Sequence, residues 1–205
     1  MKKILLGLLI LILCIVGFYW YKFTHAGKGD SGPKQPPIVL KKHSVQFNKS
    51  IEVLMHTYFD MKDAFVNADS AAAKTNCKKF IQLLDSIPVN ELKMDTASIL
   101  ETVNANISDI KMNAGSLVKQ TSITEMRQDF RMLSEIMYPS FFRAINYEGG
   151  KMYWQNCPMA FGEGKEANWI SNTEEINNPY LGKNHPEFKS SMLHCGEIKD
   201  TIKAQ

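Results

Sequence analysis

No stretch of this chain concentrates charge of one sign. Its 24 Lys and Arg stand against 21 Asp and Glu, a net of +3. The basic residues are scattered, with no stripe and no interleaved aromatics, so nucleic-acid binding has no electrostatic footprint. Catalytic signatures are also missing. There is no Ser-His-Asp order, no glycine loop for a phosphate and no carboxylate pair in a turn-rich pocket, so no enzyme is expected. Four cysteines are present without a Cys-x-x-Cys pair, and no Glu-x-x-His pair supports a di-iron bundle. Internal repeats are absent, and no strand pattern rivals the helical ones in length.

What is present starts with Met1-Lys2-Lys3 and an apolar run from Ile4 to Tyr21. The run exceeds the roughly 7–15 apolar residues of a signal peptide and approaches the ~20 of a spanning helix. Tyr19, Trp20 and Tyr21 suit an interfacial belt. Residues 1–22 are therefore expected to form an uncleaved transmembrane anchor in the inner membrane, with the following domain facing the periplasm. A cleaved, secreted form and lipid attachment at Cys14 are the alternatives, the latter disfavoured by Leu13 before it. Residues 23–41 are rich in Gly, Lys, Ser and Pro. Such a stretch buries too little to offset its ordering entropy and reads as a flexible tether.

Residues 42–146 carry helical periodicity. A first helix, from Ser44 to about Ala68, aligns Phe47, Ile51, Leu54, Tyr58, Met61 and Phe65. Asp69 then caps a second, running to Ser86 with Ala73, Cys77, Phe80, Ile81 and Leu84 on one face. Cys77, on that face, reads as a buried structural thiol. A third, from Thr96 to Asn113, aligns Ala97, Leu100, Val103, Ile107 and Ile110, with Ala114-Gly115 as its stop. A fourth opens on Ser122-Ile123-Thr124-Glu125, a capping box. It carries Met126, Phe130, Leu133 and Met137 up to a kink at Pro139. The expected fold is all-α: an antiparallel up-and-down four-helix bundle, preceded by the anchor and followed by a loop-rich Cys/Met segment over 147–205.

That segment holds the chemistry. Cys157-x-Met159 and Met192-x-His194-Cys195 are separated by turns at Pro158, Gly162, Gly164, Pro179, Gly182 and Pro186. Three readings stay open. Cys157 and Cys195 form a disulfide, as an exported chain permits. Alternatively, the clusters converge on a soft cation, with Cys157 and Cys195 as charged ligands and Met159, Met192 and His194 as neutral ones; thiolate and thioether select Cu(I). Or all five simply pack. Trp154 and Trp169 cap the loop, or one indole face covers a bound Cu(I) through a cation–π contact.

The runs Cys157-Pro158-Met159-Ala160, Trp169-Ile170-Ser171, Glu175-Ile176-Asn177-Asn178-Pro179-Tyr180-Leu181-Gly182 and Met192-Leu193-His194-Cys195-Gly196 resemble the domain-of-unknown-function family 3347. Tyr58-Phe59-Asp60-Met61-Lys62-Asp63-Ala64, Asp69, Arg127-Gln128-Asp129-Phe130 and Leu133-Ser134 fit the same family, so the resemblance extends from about Val45 onward. The family is found in exported bacterial proteins and at the ends of metal-efflux adaptor subunits, and it is regarded as copper-binding. The resemblance implies Cys157, Met159, Met192 and Cys195 as copper(I) ligands. It also implies a role in metal sequestration or handover to an efflux or trafficking partner. The rival expectation is a disulfide-stapled helical adaptor of an envelope complex with no metal role.

Overall fold

The computed structural model describes residues 13–22, 42–95 and 97–204. The chain divides into two compact units, Met1–Ile38 and Val39–Gln205. In the first, residues 13–22 are helical (α1) and expose Leu13, Ile15, Val16 and Phe18. Among the described residues no helix is long and apolar enough to cross a membrane. This corrects the transmembrane anchor expected over residues 1–22. Residues 1–12 and the tether at 23–41 lie outside the described residues.

The second unit is built around α2, Val45–Val66. Ser44 starts it by accepting the Phe47 N–H on its hydroxyl at 3.0 Å, which satisfies one of the free donors of a first turn. Phe47, Ile51, Leu54, Tyr58, Met61 and Phe65 are all buried. Asp69 caps α3 (Ser70–Asp85) through the Ala72 N–H. There Cys77 is fully buried and its thiol donates to the Ala114 carbonyl. Burial, aided by Asp129, pushes that thiol up to about 12, so the flanking lysines do not activate it. A 3-10 turn at Val89–Met94 leads to α4 (Ala97–Lys119). Gly115 does not stop α4, because Ala114 and Leu117 carry the buried stripe of Val103 and Ile110 onward. A helical Gly costs about 1 kcal/mol against Ala, less than the ~2 kcal/mol gained by burying one Leu.

Ser122 caps α5 (Ile123–Glu135). Beyond it the chain makes a π-helical turn at Ile136–Phe141, where Tyr138 leaves helical geometry beside Pro139, and then the short α6, Phe142–Ala144. α2 packs on α3, α3 on α4 and α4 on α5. Phe130 of α5 closes the set against Tyr58 and Phe65 of α2, with ring centroids 5.2 and 5.0 Å apart.

The all-α expectation fails beyond this point. Residues 147–205 are not only loops: β1 (Met152–Cys157), β2 (Ala167–Ser171) and β3 (Glu197–Ile202) form an antiparallel sheet in the order β2-β1-β3. The strands are five or six residues long. β1 is buried on both faces except at Trp154, so it lacks the alternation that marks a half-buried strand.

β2 would present a free edge, but the helices cover it. The Ile170 N–H donates to the Tyr58 hydroxyl (3.1 Å), which donates to Ser134 (2.7 Å), which donates to the Phe130 carbonyl (2.8 Å). Two residues away, the Tyr180 hydroxyl donates to the Asn168 carbonyl at 2.5 Å. Burial raises both phenols, so both stay protonated. Tyr58→Phe orphans the buried Ile170 N–H, and we expect a loss of about 2 kcal/mol in urea unfolding. An unchanged midpoint would show that the chain of bonds contributes nothing.

Candidate metal centre

Cross-strand partners share a face, so Tyr153, Gln155 and Cys157 of β1 lie with Ser171, Trp169 and Ala167 of β2. Segment 172–196 is held against this face. Gln155 donates to the carbonyls of Thr173, Glu174 and Glu175 at 2.9, 3.3 and 3.2 Å. Tyr153 donates to the Glu174 carboxylate at 2.7 Å.

The fully buried Asn178 does more. Its side-chain oxygen accepts from the Tyr180 and Leu181 N–H groups at 2.8 and 3.0 Å, its amide donates to the Cys195 carbonyl at 2.8 Å, and its own N–H donates to the Leu193 carbonyl at 2.9 Å. One side chain thus ties the 178–182 loop to the turn that carries Cys195. Gly196 completes the approach. A Cβ there would lie 2.6 Å from the Asn156 carbonyl and 3.0 Å from the Trp169 ring, so only glycine lets this turn reach the end of β1.

The result is a pair of free thiols with Sγ atoms 3.0 Å apart, joined across 38 positions of sequence. Cys157 is fully buried and Cys195 half-buried. The separation exceeds the ~2.05 Å of a disulfide. A metal–thiolate bond runs to ~2.3 Å, so an ion bridging both sulfurs requires them to part slightly. Of the two, Cys195 is the less buried. Met159 and Met192 lie two and three residues from the cysteines, each half-buried against the same core. A pair of thiols flanked in sequence by thioethers is the donor chemistry of a soft cation.

The structure does not gather every residue of the expected set around the thiols. His194 does not join the thiols: among the described residues no group of three or more His, Cys, Asp or Glu could hold a metal ion. Its ring is exposed and turned to the Ile176 carbonyl, 2.7 Å from Nδ1. Nor does Trp154 cover the pair. It lies three residues from Cys157, hence on the opposite face of β1, and packs on Tyr138 at 5.2 Å. Trp169 is on the thiol face but fully buried, meeting Tyr180 edge-on at 5.9 Å and lying under Gly196. Its role is to floor the turn. Nothing in the spacing of the cysteines marks Gln155, Asn178 or Gly196 as the residues that bring them together.

Burial, then the neighbouring Cys157 thiol, pushes the Cys195 thiol up to about 12. The reactive thiolate is correspondingly scarce at neutral pH. We expect Cys195 to react with iodoacetamide at least tenfold more slowly than a cysteine peptide at pH 8. Its rate should keep climbing to pH 10, where an ordinary thiol of pKa ~8.5 has levelled off. A plateau near pH 9, read by peptide mass spectrometry, would contradict the assigned environment.

Comparison with known proteins places a match on the helices. Residues 54–145 match the model of a family described as a protein of unknown function (DUF3347). The match runs from the middle of α2 through α6 and stops before β1, so it does not extend over the two sulfur clusters. No curated protein and no solved structure matches the chain.

Proposed function

We propose that this protein binds a soft monovalent cation, copper(I) foremost, as cargo. Cys157 and Cys195 would be its thiolate ligands and Met159 and Met192 its thioether ligands. The observation supporting this is the 3.0 Å approach of two free thiols from opposite ends of the C-terminal segment. The resemblance of the same residues to a family regarded as copper-binding adds to it. The Lys-led apolar N-terminus argues for export, where the protein would sequester the ion or hand it to an efflux or trafficking partner.

The chain's own part is mechanical. β1 fixes Cys157, Asn178 positions the Cys195 turn, and Trp169 and Tyr180 exclude water beneath it. Each thiol gives up its proton on ligation, so affinity rises with pH. The test is an anaerobic competition titration of the full chain with Cu(I) and a chromogenic bidentate chelator. One ion per chain at nanomolar affinity, about 12 kcal/mol, is expected. No binding at micromolar concentration would end the proposal.

The same 3.0 Å approach favours one other reading, a disulfide-stapled adaptor of an envelope complex. Closing a loop of 38 positions would stabilise the fold by roughly 4 kcal/mol in the chain-entropy model. Intact mass after thiol alkylation of protein taken directly from cells separates the two. Under denaturing alkylation, a persistent Cys157–Cys195 bond leaves only Cys14 and Cys77 to react and supports the staple, whereas four alkylated thiols support the metal site.

A further inference from the structure

The thiol pair is lopsided. Cys157 has no exposed surface, whereas Cys195 is half-buried at the end of the turn at residues 190–194. Of the two thiols, Cys195 is the one open to a cation arriving from solution. His194 stands there, exposed and one residue from Cys195. Its Nδ1 lies 2.7 Å from the Ile176 carbonyl. A carbonyl only accepts, so Nδ1 carries a proton, and in the neutral ring Nε2 then keeps its lone pair. Donation of one ring N–H to a backbone carbonyl is how ligating histidines are usually oriented.

The carbonyl is itself fixed, two residues from the Asn178 clamp on Leu193 and Cys195. The other histidines near the segment differ. The Nδ1 of His185 accepts the N–H groups of Glu187 and Phe188 at 3.3 Å, and its ring stacks on Phe188. That ring is engaged in closing its own turn.

We propose that His194 is a transfer ligand. Its exposed Nε2 takes the soft cation before the two thiols do and holds it again as it leaves. The handover partner would present a sulfur or imidazole donor to the turn that carries Met192, His194 and Cys195. This rests on the copper(I) reading and adds a route to it. A donor used on the way in and out, but not at rest, lowers the barrier without changing the endpoints. It therefore alters uptake and release rates by the same factor and leaves affinity alone.

The test uses the full chain carrying one Cu(I), mixed anaerobically in a stopped-flow instrument with bicinchoninate. Uptake from the chelator complex is run in reverse. His194→Asn keeps an amide N–H for the Ile176 carbonyl but removes the imidazole lone pair. It should slow both directions at least tenfold while Kd stays within threefold. His194→Met, which restores a soft donor, should recover most of the rate, and His185→Asn should change nothing. Unchanged rates in His194→Asn overturn the proposal. A hundredfold loss of affinity also overturns it, because His194 would then be a resident ligand. If the wild type takes up no Cu(I), or Cys157→Ser binds as tightly as wild type, the copper reading falls and the route with it.

Discussion

Cys157→Ser should weaken Cu(I) binding by at least a thousandfold, while the metal-free protein loses only about 1–2 kcal/mol of stability. The two effects separate because Cys157 plays two parts. As a side chain it is fully buried at the end of β1, and serine is close in shape but brings a hydroxyl that must find a partner there. As a donor it is one of two thiols 3.0 Å apart, and serine removes a charged, soft ligand outright. Losing a group that merely orients a ligand costs 10–100-fold in metal affinity. Losing a thiolate itself must cost more, and a thousandfold is about 4 kcal/mol. Met192→Leu removes a neutral ligand of similar volume and should cost about 10–100-fold. The measurement is chelator competition on variants whose metal-free melting curves are compared first. Affinity unchanged in Cys157→Ser would remove copper from the account and leave the thiol pair to the disulfide reading.

The helices were legible because their signal is local. Every residue of the Phe47, Ile51, Leu54, Tyr58, Met61, Phe65 stripe is buried, and Ser44, Asp69 and Ser122 cap as their chemistry requires. Where pattern and structure differ, the deciding contacts are distant in sequence. Gly115 looks like a stop only until Leu117 is seen in the core. The sheet escaped because β1 is buried on both faces and β3 exposes Glu197, Ile198, Lys199 and Asp200, so neither alternates. At the candidate site, the Cys157 and Cys195 pairing was readable as one option among three. Asn178, Gly196 and Gln155 were not, because they act through backbone atoms that sequence spacing does not locate. For His194, adjacency to Cys195 is visible in the sequence, but the Ile176 carbonyl that orients its ring, 18 positions away, is not.

Arg127→Ala should lower stability by about 3 kcal/mol, a fall of roughly 6–12 °C in Tm for a chain of this size. Arg127 is 2% exposed, with Nε on the Pro179 carbonyl and Nη2 on the Phe65 carbonyl, both at 2.9 Å. Burial pulls the guanidinium down to about 10, so it is still charged at neutral pH and its burial carries a desolvation cost. Two charge-assisted bonds, about 1.5–3 kcal/mol each, offset that cost. Phe65 lies in the last turn of α2, where carbonyls are short of partners and the helix dipole favours a cation. Pro179 belongs to the loop that Asn178 ties to Cys195. The side chain therefore joins the helical body to the thiol turn. Gly182 allows the close fit, since a Cβ there would sit 2.6 Å from the Val66 carbonyl and 3.2 Å from Nη2. Removing the guanidinium relieves the desolvation but orphans the buried Pro179 carbonyl and empties the space, so the net effect is destabilising. Arg127→Lys should not rescue it, because a single ammonium cannot span carbonyls on two elements. That variant should also loosen the Cys195 turn and weaken Cu(I) about tenfold, the effect expected of a group that only orients a ligand. Arg131→Lys is the control, since its ion pair with Glu135 at 3.0 Å is half-exposed and worth under about 0.5 kcal/mol. If Arg127→Lys melts and binds like wild type, the link between helices and thiol turn must run elsewhere, through Tyr58 and Tyr180.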